Sequence, residues 1–555
     1  MTERILVAVA WPYANGPLHM GHIAGAYLPA DIFARYHRLK GNEVLMVSGS
    51  DQHGTPITVR AEQEGVTPQE VAARYHQEFL DSWRRLGISF DLFTSTETSL
   101  HHRVAQDMFL ALLERDYIYR DVMTMLYCPH CRRFLPDRYV EGTCPFCGAE
   151  GTRGDQCDRC GKPLNPVELI APRCRICAGQ PAARESEHFF LRLSAFNERL
   201  LDWVKAQKHW RQNVSNFTTQ LLTEGLKDRA ITRDIDWGIP VPVAGFEGKR
   251  IYVWFEAVIG YLSASMEWAQ QHGDDEGWRR FWQGEARGYY FIGKDNIPFH
   301  TIIWPAMLMG SGGLNLPYDV PANEFLTLEG RALSTSRNWA VWLPDYLERY
   351  QPDPLRYFLS ANMPEGGDTD FSWREFVRRN NDELVATYGN LVHRVLTFTH
   401  RNFAGAVPHP GELNEGDRAL ISRAEGSLAD AGDQLSLCRF REALRTAMSL
   451  AQETNRYLDD REPWKRIRTD GTGAATALYV ALSAISGLKT MLYPFLPWSS
   501  ERLHRLLGFE GGIEAAGWRL ALPAPGQRLE SPEPLFLKLD DQVAAEEKAR
   551  LGGER

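Results

Sequence analysis

The chain of 555 residues has no long uncharged apolar run, which is the simplest mark of a membrane protein. Its most apolar stretch, ALYVALSAISGLKTMLYPFLPW, is interrupted by Lys489 and two prolines, so we expect no membrane span. The first residues, MTERILVAVAWPY, carry charges of both signs and too short an apolar run for a secretory signal. Both features predict a cytoplasmic protein with no membrane partner.

The chain also lacks an excess of positive charge, and it has little cysteine outside one segment. Its formal net charge of -9 argues against a protein that binds nucleic acid over its whole surface, but it allows a local basic face. Eight of the nine cysteines fall in one segment as four Cys-x-x-Cys pairs, and only Cys438 lies elsewhere. This clustering indicates metal binding in a reducing compartment rather than a disulfide framework.

Short apolar runs alternate with amphipathic helical patterns in the first third of the chain, as in ILVAVAWPY and EVLMVSGSDQHG. This alternation predicts β-α-β units and a parallel sheet, whose ligands bind at the carboxyl ends of the strands. From Tyr117 to Glu187 the pattern changes to turn-rich sequence and then resumes, so we expect an insertion that splits one sheet domain. After about Asp370 amphipathic helices dominate, which predicts a helical bundle.

The clustered cysteines form four turns, CPHC, CPFC, CDRC and CRIC. Each turn can offer two thiolates to a tetrahedral ion, so four turns can build two closed Zn²⁺ sites. Four cysteine ligands leave no open position for a substrate, which favours a structural role over the alternative of a redox dithiol. The spacing does not decide which turns share an ion. The expected ligands are Cys128, Cys131, Cys144, Cys147, Cys157, Cys160, Cys174 and Cys177.

The stretch VAVAWPYANGPLHMGHI places His19 and His22 three residues apart where the first helix is expected to begin. The free N–H groups and partial positive charge of a helix amino terminus suit phosphates, and histidines there can donate hydrogen bonds to phosphoryl oxygens. Gly21 between them lets backbone or ligand come close. A metal site and a plain helix cap are the alternatives for this pair.

A second polar stretch, EGRALSTSRNWAVW, is by itself an ordinary turn rich in serine and threonine. Together the two stretches resemble the paired motifs of class I aminoacyl-tRNA synthetases, with His19–His22 as the HIGH motif and Ala332–Ser336 as the KMSKS loop. The finer resemblance is to the methionyl-tRNA synthetase family and covers nearly the whole chain. It is carried by PYANGPLHMGH, SGSDQHGTP, FLPDRYVEGTCPFCG, ITRDIDWGIPVP, YVWFEAVIGY, FIGKDNIPFH with WPAML, and PDPLRYFL.

The resemblance implies an α/β fold class, with a Rossmann-like parallel-sheet catalytic domain split by a zinc-binding insertion and followed by an all-α helical-bundle anticodon-binding domain. The expected segments are 1–116 and 188–320 for the catalytic halves, 117–187 for an insertion with two zinc knuckle sites, 321–372 for the segment with the KMSKS-like loop, 373–530 for the anticodon-binding bundle, and 531–555 for a polar tail.

The resemblance also implies roles for individual residues. Asp51 would hold the ammonium group of L-methionine, and aromatic side chains would surround its thioether, since sulfur contacts aromatic edges favourably. Ordinary core packing is the alternative for each aromatic residue. The expected catalytic residues are His19, His22, Arg233, Lys294, Ser334, Thr335 and Arg337. ATP would contact His19, Gly21, His22, Lys294, Asp295 and Thr335. Methionine would contact Trp11, Tyr13, Asp51, Trp254, Val258, Tyr261, Asn296, His300 and Trp304. The anticodon would contact Asn390, Arg394 and Trp464.

The chain departs from the family pattern at two loop positions, where Ala332 and Thr335 replace the usual lysines. A lysine there would neutralise charge on the leaving pyrophosphate, so Arg331 or Arg337 would have to supply it. Trp11, Val258 and Asn296 also differ from the residues common in the family. Two alternatives therefore stay open: a tRNA-binding relative with lost or weakened activation, and a class I synthetase for another apolar amino acid.

The reaction implied by the resemblance has two steps. Methionine would be activated with ATP and Mg²⁺ to methionyl-adenylate with release of pyrophosphate, and would then pass to the terminal ribose of tRNA(Met), including the initiator tRNA. Class I activation needs no general base, because the substrate carboxylate is already a nucleophile. The short polar tail of the chain favours a monomer.

Overall fold

The computed structural model describes residues 2–135, 139–154, 157, 159–160, 164–335 and 337–553. Its centre is a parallel sheet of five strands in the spatial order β5-β4-β1-β2-β3. The chain extends the sheet to one side of β1 and then returns to build the other side. The carboxyl ends of β1 and β4 therefore border a crevice in which a ligand can bind. The strands are β1 (Arg4–Val9), β2 (Glu43–Ser50), β3 (Leu92–Ser95), β4 (Arg287–Gly293) and β5 (Ala322–Asn323).

Strand β1 is apolar from Ile5 to Val9 because both of its faces are covered there. Ile5, Val7 and Val9 belong to a core shared with the helical region, whereas Leu6 and Ala8 belong to a second core on the opposite face. Burial on both faces is the reason that a parallel strand reads as a continuous apolar run rather than as an alternating one.

Helices cover both faces of the sheet. The first helix begins at Met20–His22, continues through the π-helical turn Ile23–Tyr27 and ends with Leu28–Leu39. The other helices of this region are Thr55–Glu64, Pro68–Leu86, Ser99–Glu114, Val253–Glu256, Gly260–Gln271, Arg279–Trp282 and Trp304–Ser311.

The expected insertion is a long antiparallel hairpin, Ile118–Cys128 with Ala182–Leu191, paired from Ile118 opposite Leu191 to Tyr127 opposite Ala182. The short strands Arg229–Ala230 and Arg133–Phe134 extend it to four strands. The tip of the hairpin carries the cysteines and a second small sheet of Thr152–Arg153, Val140–Thr143 and Ile170–Cys174. After the hairpin come helices Asn197–Ala206 and Gln212–Glu224 and the strand pair Thr232–Arg233 with Arg250–Ile251.

The second polar stretch begins within a small three-stranded sheet. Leu326–Leu328 lies at its centre, parallel to Thr369–Phe371 and antiparallel to Arg331–Ala332. Helices Leu343–Arg349 and Pro352–Ala361 follow and lead to the helical region.

The helical region is a bundle around the apolar helix Gly471–Leu492, which packs against the two long helices Glu415–Ser436 and Phe440–Arg461. In the described part of the chain, Gly471–Leu492 alone is long and apolar enough to cross a membrane, but 94% of its most apolar window is buried inside the protein. Its composition is explained by its position in the core. The remaining helices are Trp373–Arg379, continued by the π-helical Asn380–Gly389 and by Asn390–Asn402, then Pro463–Arg466, Pro497–Leu506, Ile513–Ala516 and Gln542–Ala549.

The polar segment at the carboxyl end folds back onto the rest of the protein. Glu547 in its helix is buried, and its carboxylate accepts hydrogen bonds from Arg349 at 2.8 and 2.9 Å and from the Tyr350 hydroxyl at 2.9 Å. Beyond the helix, the carbonyl of Gly553 accepts a hydrogen bond from the Asn338 side chain at 2.8 Å. The segment therefore contacts the second polar stretch.

Candidate active site and metal centres

The crevice at the carboxyl end of β1 is fixed by backbone hydrogen bonds to the segment after β2. Asp51 donates its N–H to the carbonyl of Pro12 at 2.8 Å, and its own carbonyl accepts from Ala14 at 2.9 Å. These bonds place Tyr13 opposite Asp51 in a parallel bridge. Two of the residues expected to contact methionine are thereby held side by side.

His19 and His22 cap the first helix and share a defined tautomer. The Nδ1 atom of His19 accepts the N–H of Gly21 at 3.1 Å, and Nδ1 of His22 accepts the N–H of His19 at 3.1 Å. The rings stack with centroids 3.8 Å apart. Burial lowers the pKa of His22 to about 4, and burial together with the neighbouring His22 lowers that of His19 well below its usual value. A neutral ring that accepts at Nδ1 carries its proton on Nε2, so both histidines can donate from Nε2.

The two stretches that the sequence analysis pairs do meet in space. The N–H of Met20 bonds to the carbonyl of Val341 at 3.1 Å, and that of Leu343 to the carbonyl of Leu18 at 2.8 Å. The Trp342 ring stands edge-on to His19 at 6.0 Å. Between the stretches lies a cleft of about 980 Å³. Its lining includes Tyr13, His22, Thr335, Arg337, Asn338 and Trp342, together with Arg60, Arg153 and Arg175.

The lysine-free loop is held by a backbone pair between Ser334 and Trp339, at 3.0 and 2.9 Å. Arg337 lines the cleft and donates from Nε to the Ser334 hydroxyl at 3.1 Å. Arg331 lies instead over the ring of Trp339 at 4.9 Å. Of the two arginines that could replace the family's lysines, Arg337 is the one that lines the cleft. Ser336 lies outside the described residues.

Asn338 and Trp342 are cleft residues that the sequence analysis did not single out. Asn338 has a left-handed backbone with φ of 50°, which asparagine tolerates better than most residues. Its side chain accepts the indole N–H of Trp342 at 2.7 Å, and its carbonyl accepts the N–H of Gly552 at 3.1 Å. The polar sequence of the loop indicates that Asn338 could belong to a site. Its hydrogen bonds to Gly552 and Gly553 join residues more than 200 positions apart, which no local pattern predicts.

An aromatic pocket adjoins Tyr13. The ring of Trp254 stands edge-on to Tyr13 at 6.0 Å and stacks on Phe299 at 4.2 Å. Deeper in, the Tyr261 hydroxyl donates to Nε2 of His300 at 2.7 Å, because Nδ1 of His300 bonds to the carbonyl of Asn296 at 2.9 Å and therefore carries the proton. Burial lowers the pKa of His300 to about 4.

Trp11 occupies a slot between two glycines. A Cβ atom at Gly49 would lie 2.4 Å from the Trp11 ring, and one at Gly260 would lie 2.6 Å from it. Only glycine therefore fits at either place. The unusual Trp11 packs beside Tyr261, with ring centroids 6.4 Å apart, and so belongs to the same pocket. Val258 and Trp304 are buried in the surrounding core.

Of three other expected site residues, two contact neighbouring side chains or backbone and one is exposed. Lys294 forms ion pairs with Glu324 at 2.7 Å and Asp368 at 2.9 Å. Asp295, which follows it at the end of β4, is exposed. Arg233 lies over the Tyr252 ring at 3.8 Å and donates to the carbonyl of Thr232 at 2.9 Å.

A buried network of charged residues adjoins Asp51, and the sequence analysis did not identify it. The backbone N–H of His53 donates to the Asp51 carboxylate at 3.1 Å. The His53 ring lies between Glu256 at 2.7 Å from Nδ1 and Glu97 at 2.7 Å from Nε2. Glu256 also contacts Nε2 of His101 at 2.7 Å. The one sequence feature that points toward this network is the SGSDQHGTP motif, which contains Asp51 and His53.

The cysteines form two groups of four, and within each group the sulfur atoms lie within 4.8 Å of one another. The first turn is grouped with the fourth, and the second with the third. A tetrahedral zinc ion with Zn–S bonds of about 2.3 Å separates its sulfurs by about 3.8 Å, which matches the closest pairs. The Sγ–Sγ distances are 3.5 Å for Cys128–Cys177, 3.8 Å for Cys131–Cys174, 3.9 Å for Cys144–Cys160 and 3.6 Å for Cys147–Cys157.

Two of the three residues expected to contact an anticodon are brought together in the bundle. The guanidinium of Arg394 lies over the Trp464 ring at 4.6 Å and donates to Asn455 at 3.3 Å. Asn390 is exposed at the start of the same helix as Arg394. A stacked arginine and indole beside an exposed amide can stack on and hydrogen-bond to unpaired bases.

Comparison with known proteins places both parts of the chain in one family. Residues 5–396 match the family described as tRNA synthetases class I (M), and residues 407–555 match the anticodon binding domain of methionyl tRNA ligase. The methionine–tRNA ligase of Dehalococcoides mccartyi is 63% identical over 552 residues, with all of both chains covered. That of Thermomicrobium roseum is 55% identical, with 99% of both chains covered.

Solved structures agree with this grouping. The Mycobacterium tuberculosis methionyl-tRNA synthetase in complex with methionyl-adenylate is 28% identical and matches with a TM-score of 0.81, covering 97% of this chain and 100% of that chain. The free form of the same enzyme matches with a TM-score of 0.73 and 26% identity, covering 97% and 99% of the two chains. The shared fold, the full-length coverage and the two family matches show that the chain belongs to the methionyl-tRNA synthetase family of class I aminoacyl-tRNA ligases.

Proposed function

We propose that the cleft between the two polar stretches is where this chain activates L-methionine with ATP and charges tRNA(Met). Family membership gives the overall reaction, and we assign its steps to individual residues. The observation that carries it is the meeting of His22, Thr335 and Arg337 in one cleft that opens beside Tyr13 and Asp51. Segments 1–116 and 188–320 would supply the catalytic unit, 321–372 the loop, and 373–530 the anticodon-binding bundle.

The first step joins the two substrates. The methionine carboxylate attacks the α-phosphorus of ATP, the bond to the bridging oxygen breaks, and pyrophosphate leaves. Neutral His19 and His22 would donate from Nε2 to phosphoryl oxygens, so they stabilise developing charge without giving up a full proton. Mg²⁺ would enter with ATP and neutralise phosphate charge. Catalysis then depends on positioning and charge stabilisation rather than on a general base.

The amino acid would lie between Asp51 and the aromatic pocket. Its ammonium group would contact the Asp51 carboxylate, and its thioether would lie among Tyr13, Trp254, Tyr261 and His300. Because the Tyr261 hydroxyl donates to His300 and His300 donates to the carbonyl of Asn296, neither of these donors is left to face the sulfur. In the second step a hydroxyl of the terminal ribose of tRNA attacks the methionyl carbonyl and displaces AMP.

Arg337 would replace the missing lysines at the pyrophosphate. It lines the cleft, whereas Arg331 is stacked on Trp339. An arginine can contact phosphate through two parallel N–H bonds, so it suits the task at least as well as a lysine. Lys294 and Asp295, together with Arg233 near the reacting groups, would complete the ATP and transition-state contacts.

The decisive experiment is methionine-dependent exchange of labelled pyrophosphate into ATP. We expect exchange with methionine and none with leucine, valine, isoleucine or cysteine. Exchange with leucine instead would contradict the specificity. Binding of tRNA without any exchange would favour the alternative of a tRNA-binding relative that has lost activation, and the lysine-free loop is the feature that keeps that alternative open.

The two cysteine groups would each hold one structural Zn²⁺ ion. Metal analysis of the purified protein should give about two zinc ions per chain. Cys128→Ser and Cys144→Ser should each reduce the zinc content by one ion, because the pairing puts these residues in different groups. Loss of both ions from either variant, or an unchanged content, would contradict two independent sites.

The anticodon would be recognised by Asn390, Arg394 and Trp464. Recognition there accepts every tRNA that carries the methionine anticodon, including the initiator, and a monomer would suffice. Trp464→Ala should raise KM for tRNA about tenfold or more, since stacking on one base contributes about 1–3 kcal/mol, while pyrophosphate exchange stays unchanged. Analytical ultracentrifugation would test whether the protein is a monomer in solution.

A further inference from the structure

The buried histidine beside Asp51 has a geometry that the reaction described so far does not use. His53 is 2% exposed, and both of its ring nitrogens contact carboxylates at 2.7 Å, Glu256 on one side and Glu97 on the other. A neutral imidazole has only one N–H and can donate to only one of them. A ring that contacts two carboxylates through both nitrogens satisfies both contacts only as an imidazolium.

We propose that His53 is a positioning residue for amino-acid binding: as a cation clamped between Glu256 and Glu97, it favours the ionised form of the Asp51 carboxylate, and its backbone N–H orients that carboxylate for the ammonium group of the substrate. This inference rests on the proposed role of Asp51 and extends it to a residue that would never touch the substrate.

The electrostatics around Asp51 support this role. Burial and the nearby Glu256 charge raise the pKa of Asp51 well above its usual value, so both favour a proton on the carboxyl group. The charge of His53 and its backbone N–H act in the opposite direction. Although burial alone would lower the pKa of His53, Glu256 and then Glu97 raise it to about 10. His53 is therefore the cation that offsets Glu256 beside the Asp51 carboxylate.

The charged and titratable groups around His53 come from three segments of the chain. Asp51 follows β2, and Glu97 follows β3. Glu256 comes from the helix Val253–Glu256 and holds His101, whose ring is kept neutral because burial lowers its pKa. The His102 ring lies 5.6 Å from that of His53. Within this set, His53 is the group held as a cation between the carboxylates of the network.

His53→Asn tests the charge alone, because the variant keeps the backbone N–H that contacts Asp51. We expect KM for methionine to rise about tenfold, which corresponds to one pKa unit of lost interaction, whereas kcat and KM for ATP stay within about twofold. A fall in kcat at unchanged KM for methionine would overturn the proposal.

An analogue without the ammonium group separates positioning from general damage. 4-(Methylthio)butanoate is the methionine skeleton without its amino group, and we would measure its inhibition of pyrophosphate exchange. Its inhibition constant should change less than about twofold in His53→Asn, because it has no group for Asp51 to hold. Equal weakening of methionine and the analogue would show a merely structural role and overturn the proposal.

The pH profile gives a second readout. Methionine binds the ionised form of Asp51, so kcat/KM for methionine falls as pH drops through the pKa of Asp51. Loss of the His53 cation raises that pKa, and the acid limb should move to higher pH by about one unit. His53→Gln, which also keeps the backbone N–H and removes the cation, should move the limb in the same direction and keeps the test open if His53→Asn folds poorly. An unmoved limb in a folded variant would overturn the proposal.

Two controls complete the design. His504→Asn removes a different buried histidine, in the helical region, and should leave KM for methionine unchanged at a similar loss of melting temperature. Asp51→Asn separates this inference from the function on which it rests. If Asp51→Asn does not raise KM for methionine, the proposed role of Asp51 is wrong. If it does and His53→Asn does not, only the role of His53 is wrong.

Discussion

His22 on the proposed phosphate side of the crevice and His53 on the proposed amino-acid side differ in charge although both are at least partly buried. On the phosphate side, burial lowers the pKa of His22 to about 4. On the amino-acid side, burial alone would lower the pKa of His53 as well, but Glu256 and Glu97 raise it to about 10. The two carboxylates on either side of the ring, rather than the depth of burial, make His53 a cation, since His101 contacts one carboxylate and stays neutral.

This difference in charge gives the two sides different roles in the proposed reaction. Neutral His19 and His22 can donate hydrogen bonds to phosphoryl oxygens, but they bring no net charge to the leaving pyrophosphate. The cation on the amino-acid side is occupied by two carboxylates. Under the proposed roles, positive charge at the phosphates would therefore have to come from other groups, and Arg337 is the loop arginine that lines the cleft.

The largest effect is expected at His22. His22→Ala removes an Nε2 donor at the phosphates and the acceptor of the His19 N–H, so exchange should slow by about 10²–10³ in kcat. His22→Asn, which keeps an amide donor, should retain more activity than alanine. A change below about threefold in His22→Ala would mean that the pair only caps the helix, and the contrast between the two sides would disappear.

The next largest effect is expected at Arg337. Arg337→Ala should slow exchange about 10²-fold, because the loop then carries no cation in the cleft. Arg337→Lys should recover most of the rate by restoring the charge. Arg331→Ala is the matched control, since that arginine lies over Trp339, and it should cost less than about threefold. If Arg331→Ala were the slower variant, the assignment of the two arginines would be reversed.

A smaller effect is expected in the methionine pocket. Tyr261→Phe leaves Nε2 of His300 buried without its donor, which costs about 1–3 kcal/mol, so KM for methionine should rise about tenfold with little change in KM for ATP. Tyr36→Phe removes a hydroxyl that contacts Ser436 at the junction with the helical region and serves as the control. Equal changes in both Michaelis constants would mean that the hydroxyl supports the fold rather than the pocket.

Local patterns explain what could be predicted from the sequence. The apolar runs predicted β1 and β2, because a strand buried on both faces needs such a run. The family resemblance predicted that the two polar stretches share a site, and backbone bonds from Met20 and Leu343 confirm that they meet. The sequence pattern changes at Tyr117, and the first strand of the long hairpin begins at Ile118.

Contacts between distant residues explain what could not be predicted. Four turns of the same spacing allow three pairings, and only the fold brings the first turn to the fourth. His53 and Glu256 are 203 residues apart, so no local pattern joins them. The sequence of residues 531–555 predicts only a polar tail, and it does not show that Gln542–Ala549 docks on the protein. This helix is anchored by the buried Glu547, whose partners Arg349 and Tyr350 lie about 200 residues earlier.

The smallest expected effect is on the pH dependence of kcat for exchange, which should be nearly flat. This measurement tests the phosphate side directly. A histidine whose pKa is lowered to about 4 is charged only below that pH, so His22 stays neutral from pH 6 to 8. At saturating methionine, ATP and Mg²⁺, kcat for exchange should therefore vary less than about twofold over this range, while kcat/KM for methionine follows Asp51. A tenfold fall in kcat centred near pH 6.5 would show that an ordinary histidine titrates at the phosphates. The two sides of the crevice would then differ in geometry alone, and not in charge.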